Sequence, residues 1–137
     1  MEKICNNLED TKNLAFEFSK KLVGGEVITL TGDLGAGKTT FTKSLALALG
    51  ITQPVTSPTF TLMNEYQGDK LKLYHFDMYR IEDPSEILET GINEYFGNSD
   101  AVCVIEWAEN IKSLLPKNLQ NITIQKLGET SRKFIFE

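Results

Sequence analysis

The chain is 137 residues long, and its 14 basic and 19 acidic side chains leave a net charge of −5. With 41% hydrophobic and 24% charged residues it has the composition of a single globular domain spanning 1–137, which excludes a disordered chain and leaves no room for a second core. No apolar run reaches the roughly 18 residues a membrane span needs, and the mixed stretch Met1 to Asp10 lacks an apolar signal core, so a cytoplasmic, membrane-free protein is expected.

The first predicted helix runs from about Glu9 to Leu22, where Leu14, Phe18 and Leu22 recur at helical spacing until Gly24-Gly25 breaks the pattern. Val27 to Leu30 reads as a buried strand. A glycine-rich turn, Gly32 to Gly37, follows, and then a helix from Lys38 to about Leu49 stopped by Gly50. Ile51 to Pro58 is a proline-anchored loop. Thr59 to Tyr66 and Leu71 to Asp77 read as a hairpin across Gln67-Gly68-Asp69-Lys70. Asp83-Pro84-Ser85-Glu86 is a helix start, with an acidic cap and proline at the first helical position; that helix ends near Gly91. Ala101 to Ile105 is an apolar strand, Glu109 to Leu115 a short helix ended by Pro116, and Ile122 to Leu127 with Arg132 to Phe136 a closing hairpin. The alternation of strands and helices around a glycine turn predicts an α/β fold, a P-loop NTPase-like three-layer sandwich with a mixed central sheet.

Gly32-Asp33-Leu34-Gly35-Ala36-Gly37-Lys38-Thr39 matches G-x-x-x-x-G-K-[ST] in full, between a strand and a helix. Glycines let the backbone bring its N–H groups to phosphate oxygens. The following helix aims unpaired N–H groups and its positive dipole end at the same anion. Gly32, Asp33, Leu34, Gly35, Ala36, Gly37, Lys38, Thr39 and Thr40 are therefore the expected nucleotide-binding residues, with Lys38 on the outer phosphates and the Thr39 hydroxyl on Mg2+.

A metal site of this kind needs a second acid. Val102 to Glu106 is an apolar strand ending in a carboxylate, the form of a Walker B element with Glu in place of Asp. Parallel strands share their C-terminal edge, so Glu106 is expected beside the glycine turn as a metal ligand. Asp77 ends another apolar strand and reaches the same edge if that strand is parallel, there to orient water or bind Mg2+ through water. Its alternatives are a helix cap or a partner for Arg80. His75, two residues earlier, reads as a hydrogen-bonded core histidine. Arg80 is a candidate for neutralising transition-state charge, or equally a structural ion pair. Thr59, after the loop, is the candidate sensor of a γ-phosphate, and Trp107 either senses nucleotide, anchors a partner or packs. No Asn-Lys-x-Asp element is present to read guanine, which favours ATP. Arg80 and Arg132 are the only arginines and no basic patch is visible, so strong nucleic-acid binding by the chain alone is not expected. Cys5 and Cys103 fit neither a CxxC motif nor a disulfide framework, and Cys103 reads as a small core residue.

GDLGAGKTT at Gly32 to Thr40, SPTF at Ser57 to Phe60, YHFDMYR at Tyr74 to Arg80, DPSE at Asp83 to Glu86 and VIEW at Val104 to Trp107 together resemble the TsaE family, the small P-loop ATPases of bacterial tRNA threonylcarbamoyladenosine synthesis. The resemblance spans most of the chain. It implies binding of ATP and Mg2+, slow hydrolysis by the protein alone, and action with the partner proteins TsaB and TsaD, of which TsaD makes the transfer. It supports Lys38, Thr39, Asp77 and Glu106 as functional residues, with Thr59 and Trp107. The alternatives to a partner-activated ATPase are a small-molecule kinase and a nucleotide-binding switch without turnover.

Overall fold

The glycine-punctuated apolar runs form the middle of one sheet. The computed structural model describes residues 1–137. In chain order its elements are β1 (Glu2–Cys5), α1 (Leu8–Ser19), β2 (Val27–Thr31), α2 (Lys38–Ala48), β3 (Met63–Gln67), β4 (Lys72–Asp77), α3 (Ser85–Thr90), β5 (Ala101–Glu106), β6 (Gln120–Lys126) and β7 (Arg132–Phe136). Two 3₁₀ segments, Ile92–Tyr95 and Ala108–Leu114, flank β5. The seven strands lie in the order β1-β7-β6-β2-β5-β4-β3. β2 is parallel to β5 and β6, and β4 is parallel to β5. β3 and β7 run antiparallel to their neighbours, so the sheet is mixed, as expected.

Both faces are covered, because side chains alternate across each strand. Ile28 and Leu30 of β2, Val102 and Val104 of β5, and Ile122 and Ile124 of β6 share a core with Phe18 of α1 and with Phe41 and Leu45 of α2. Val27, Cys103 and Ile105 point the other way, into a core with Ile87 of α3 and Ile111 of the second 3₁₀ segment. Phe41 is fully buried and lies 6.2 Å from Phe18 and 5.4 Å from Phe134, ring centre to ring centre. Burial of one such ring stabilises the fold by about 1.5–3 kcal/mol. Because Phe41 is three residues beyond Lys38, this packing also fixes where the start of α2 points; Phe41→Ala would cost roughly 3–5 kcal/mol and loosen it.

Three elements differ from expectation at their ends for local reasons. α1 begins at Leu8, capped by the Asn7 side chain, which accepts from the Asp10 N–H at 2.8 Å. It ends at Ser19, whose hydroxyl donates to the Phe16 carbonyl at 2.6 Å. β3 starts at Met63 rather than Thr59, because Leu62 adopts φ +68° and its N–H donates to the Pro58 carbonyl at 2.7 Å. Residues 59–62 are thus a turn, not strand. The helix expected over Glu109 to Leu115 is the 3₁₀ segment Ala108–Leu114, broken by a non-helical Ile111. No helix is long and apolar enough to cross a membrane.

Candidate functional site

Register brings the two strand-end acids together. Asp77 of β4 pairs with Glu106 of β5, and Glu106 pairs with Leu30 of β2, two residues before the glycine turn. The turn is held tightly to the sheet. A Cβ on Gly32 would lie 2.7 Å from the Ile124 carbonyl oxygen, so only glycine fits there without displacement. Gly37 has φ +107° and is the N-cap of α2, without a side-chain cap. No acidic side chain occupies the first turn of α2 either, which leaves its first N–H groups facing an open cleft.

The cleft has a volume of about 460 Å³. Leu34, Gly35, Gly37, Lys38, Thr39 and Thr40 line one side of it, and Thr59, Asp77 and Glu106 the other. Gly32, Asp33 and Ala36 shape the turn but do not line the cleft; the Asp33 carbonyl accepts from the Ala36 N–H at 3.0 Å. Lys38 is only 6% exposed. Its ammonium donates to the Gly32 carbonyl at 2.7 Å and lies 3.8 Å from the centre of the Trp107 ring. Trp107 has φ +59° and packs at 4.9 Å against Tyr79, which also lines the cleft.

Asp77 is 6% exposed and fully engaged. Oδ1 accepts the Tyr79 N–H at 2.9 Å, while Oδ2 accepts the Ser57 and Thr59 hydroxyls at 3.2 and 3.3 Å. Those two hydroxyls are 2.8 Å apart. Glu106 is 4% exposed and bonds through Oε2 to His75 Nε2 at 2.6 Å. His75 is completely buried. The donor set of Thr39 hydroxyl, Asp77 and Glu106 is all oxygen, which suits a hard cation such as Mg2+. No group of three or more His, Cys, Asp or Glu side chains is arranged to hold a metal unaided. An ion here fits only as Mg2+ fits beside phosphates, with few protein ligands and several waters.

A family model described as "Threonylcarbamoyl adenosine biosynthesis protein TsaE" matches residues 5–134. The chain belongs to the TsaE family. The Bacillus subtilis (strain 168) protein named tRNA threonylcarbamoyladenosine biosynthesis protein TsaE is 48% identical over 130 residues, covering 95% of this chain and 80% of its own. Proteins of the same name from Aquifex aeolicus (strain VF5) and Treponema pallidum (strain Nichols) are 48% and 40% identical over 134 residues each; the shares are 96% and 92% for the first, and 97% of both chains for the second. The crystal structure of Bacillus subtilis YdiB matches with a TM-score of 0.83 at 41% identity, covering 99% of this chain and 83% of that one.

Within this TsaE chain, one sequence expectation changes and one residue is added. Arg80 does not line the cleft and makes no ion pair; its guanidinium lies 5.1 Å from the centre of the exposed Phe60 ring. Arg132 lines the cleft instead. Its Nε donates to the Ala36 carbonyl at 2.8 Å, and one terminal nitrogen donates to the carbonyls of Gly128, Glu129 and Ser131 at 2.9, 3.3 and 3.0 Å. Rarity was the available signal for it, since the chain has only one other arginine. Neither cysteine belongs to the cleft. Burial pushes the Cys103 thiol up to about 12, only partly opposed by a backbone hydrogen bond from Gly97, so it is an inert core group.

Proposed function

We propose that this protein is a P-loop NTPase-like ATPase of the cytoplasm. In this reading it binds ATP with Mg2+ and hydrolyses it slowly alone. It supports the TsaB–TsaD machinery that forms threonylcarbamoyladenosine in tRNA. The observation that carries the reading is the juxtaposition, across one cleft, of the Lys38–Thr39 helix start with two register-paired acids, Asp77 and Glu106.

The chain's own groups have separable tasks. Backbone N–H groups of Gly35 and of Gly37 to Thr40 donate to the phosphates, and Lys38 leaves the Gly32 carbonyl for the outer phosphate oxygens. Thr39 and Glu106 would hold the ion; Mg2+, when bound, neutralises charge on the phosphate oxygens. Asp77 has one oxygen fixed by the strand end and one shared with hydroxyls, which suits it to orient a water at the γ-phosphate. A smaller hollow of about 250 Å³, lined by Asn7, Leu8, Thr11 and Thr130, shares Gly37, Thr40 and Arg132 with the cleft and gives the nucleoside end a place to lie. The kinase alternative draws less support, because Arg132, the one arginine lining the cleft, is already held by four carbonyls.

The test is equilibrium ATP binding with and without Mg2+, followed by phosphate release alone and with TsaB and TsaD. Tight Mg2+-dependent binding and slow, partner-accelerated release are expected. Failure to bind ATP overturns the reading, and phosphate transfer to a small acceptor at an unassisted high rate replaces it with the kinase. With a net charge of −5, tRNA affinity of the chain alone is expected to be no better than the roughly 10⁻⁴–10⁻⁶ M of non-specific binding.

A further inference from the structure

His75 is completely buried, and its single polar contact is the 2.6 Å bond from Nε2 to Glu106 Oε2. Its other ring nitrogen, Nδ1, is the one buried side-chain nitrogen or oxygen in the protein without a hydrogen-bond partner. An orphaned polar atom in a core is a cost that an apolar side chain of similar size would avoid. What the histidine supplies in return is therefore its bond to Glu106. The other carboxylate oxygen, Oε1, makes no hydrogen bond within the protein and is not buried, and Glu106 lines the cleft.

We propose that His75 is a positioning residue for Glu106: its Nε2–H donates to Oε2, ties that oxygen down and leaves Oε1 to the cleft and its metal ion. The tautomer follows from the contacts. A proton on Nδ1 would bury an N–H with no acceptor and set the Nε2 lone pair against a carboxylate oxygen at 2.6 Å. A proton on Nε2 makes that contact a charge-assisted bond and leaves only a bare lone pair at Nδ1. The strand register allows the arrangement. His75 lies opposite Val104 on the neighbouring parallel strand, one pleat behind the Asp77–Glu106 pair, on the sheet face that carries α2. Histidine thus does for a carboxylate ligand what second-layer partners do for metal ligands generally: it fixes their orientation, with effects of about 10–100-fold on metal affinity when removed.

This inference rests on the ATP and Mg2+ reading above, and its test separates the two. His75 is the only histidine, so long-range ¹H–¹⁵N NMR of the ligand-free protein reads its tautomer directly. A protonated Nε2 and bare Nδ1 are expected, and a proton on Nδ1 alone overturns the proposal whatever the nucleotide result. The second arm compares Mn2+ affinity, by electron paramagnetic resonance with ADP present, among wild type, His75→Leu, His75→Asn and His75→Gln. Glutamine can put a nitrogen donor near the Nε2 position, whereas asparagine reaches only the Nδ1 position. Leu and Asn should weaken Mn2+ binding by about 10–100-fold, and Gln should recover most of the loss. Wild-type affinity in the Leu variant overturns the positioning role, as does a Gln variant no better than Leu. If Leu or Asn does not fold, the Gln variant and the tautomer spectrum still decide. A wild-type protein that binds nucleotide with no effect of metal overturns the Mg2+ reading itself, and the ligand-free spectrum distinguishes that failure from this one.

Discussion

Gly32→Ala is the sharpest probe of how the fold shapes the phosphate cradle. The added methyl would sit 2.7 Å from the Ile124 carbonyl oxygen and 3.1 Å from the Ala36 Cβ. An ordinary C···O contact is about 3.3–3.6 Å, so something must move by roughly 0.6 Å or more. The Ile124 carbonyl is backbone of β6, locked between β2 and β7, and cannot retreat without breaking a ladder. The turn is the softer side, since Asp33, Leu34 and Gly35 are exposed. It should therefore lift, carrying away the Gly32 carbonyl that holds Lys38 at 2.7 Å. Overpacking of this kind costs about 1–3 kcal/mol of stability. The larger effect falls on ATP, whose donors are displaced: at least tenfold weaker binding, about 1.4 kcal/mol or more. Trp107 is the only tryptophan and lies against Lys38, so its fluorescence serves as the titration signal. Gly128→Ala is the control, because a Cβ there meets nothing within 4 Å. Wild-type affinity in Gly32→Ala, or an equal loss in the control, would refute the close-approach argument.

Lys38→Met keeps the apolar stem against Trp107 and removes the charge; calorimetric ATP affinity should fall by about 10–100-fold, the worth of a charged hydrogen bond, with little change in Tm. Asp77→Asn should lower partner-stimulated phosphate release by about 10²–10⁴-fold, the usual range for a group that handles the attacking water, while leaving ADP affinity close to wild type in the same fluorescence titration. Thr59→Val removes one of the hydroxyls on Asp77 and should abolish most acceleration by TsaB and TsaD without loss of ADP binding; acceleration that survives intact moves the sensor elsewhere. With its thiol at about 12 rather than the ordinary 9.0, Cys103 is about 10⁻⁴ ionised at pH 8, so iodoacetamide should label it only under denaturant, as followed by mass spectrometry. The sign of the linkage is unfavourable at high pH: between about 9 and 12 the unfolded chain loses this proton while the folded one keeps it, so the Cys103 contribution to stability falls as pH rises through that window.

What was legible in the sequence is what local chemistry dictates. The glycine turn between an apolar strand and a helix, and the carboxylates that end β4 and β5, follow from side-chain type and spacing alone. β1 carries no strand signal of its own, because Glu2–Cys5 is short and mostly polar; it is a strand only through its pairing with β7 at the far end of the chain. The residues of the Thr59 turn favour β structure, and the Leu62 backbone overrides that preference. Arg132 reaches the turn from 96 residues beyond Ala36, and His75 meets Glu106 from 31 residues away. Both contacts come from strand order and register, which no single window of sequence contains.

The two walls of the cleft are held unequally, and the difference is written in their contacts. The glycine turn is tied at Gly32 by close approach to β6, at Ala36 by Arg132, and at its end by Phe41 in the core. Opposite, the Ser57 and Thr59 hydroxyls bond to each other at 2.8 Å and to the rest of the cleft only through Asp77 Oδ2, at 3.2 and 3.3 Å, long for O–H···O bonds. Asp77 itself does not depend on them, because its Oδ1 is held by the Tyr79 N–H at 2.9 Å. Anything that competes for Oδ2 can therefore release Ser57 and Thr59 without disturbing the acid. The release is confined at both ends: the Leu62 carbonyl accepts the Asp77 N–H at 3.0 Å, and the Tyr66 hydroxyl accepts the Thr56 N–H at 3.2 Å. Between those anchors lies Phe60, 85% exposed. In the proposed ATP reading, a group that takes Asp77 Oδ2 thus has a short path through residues 57–59 to an apolar surface residue, and none of the contacts that tie the glycine turn lies on that path. That division suits a nucleotide-state signal to a protein partner: a segment whose order depends on what occupies the cleft, beside a turn whose order does not.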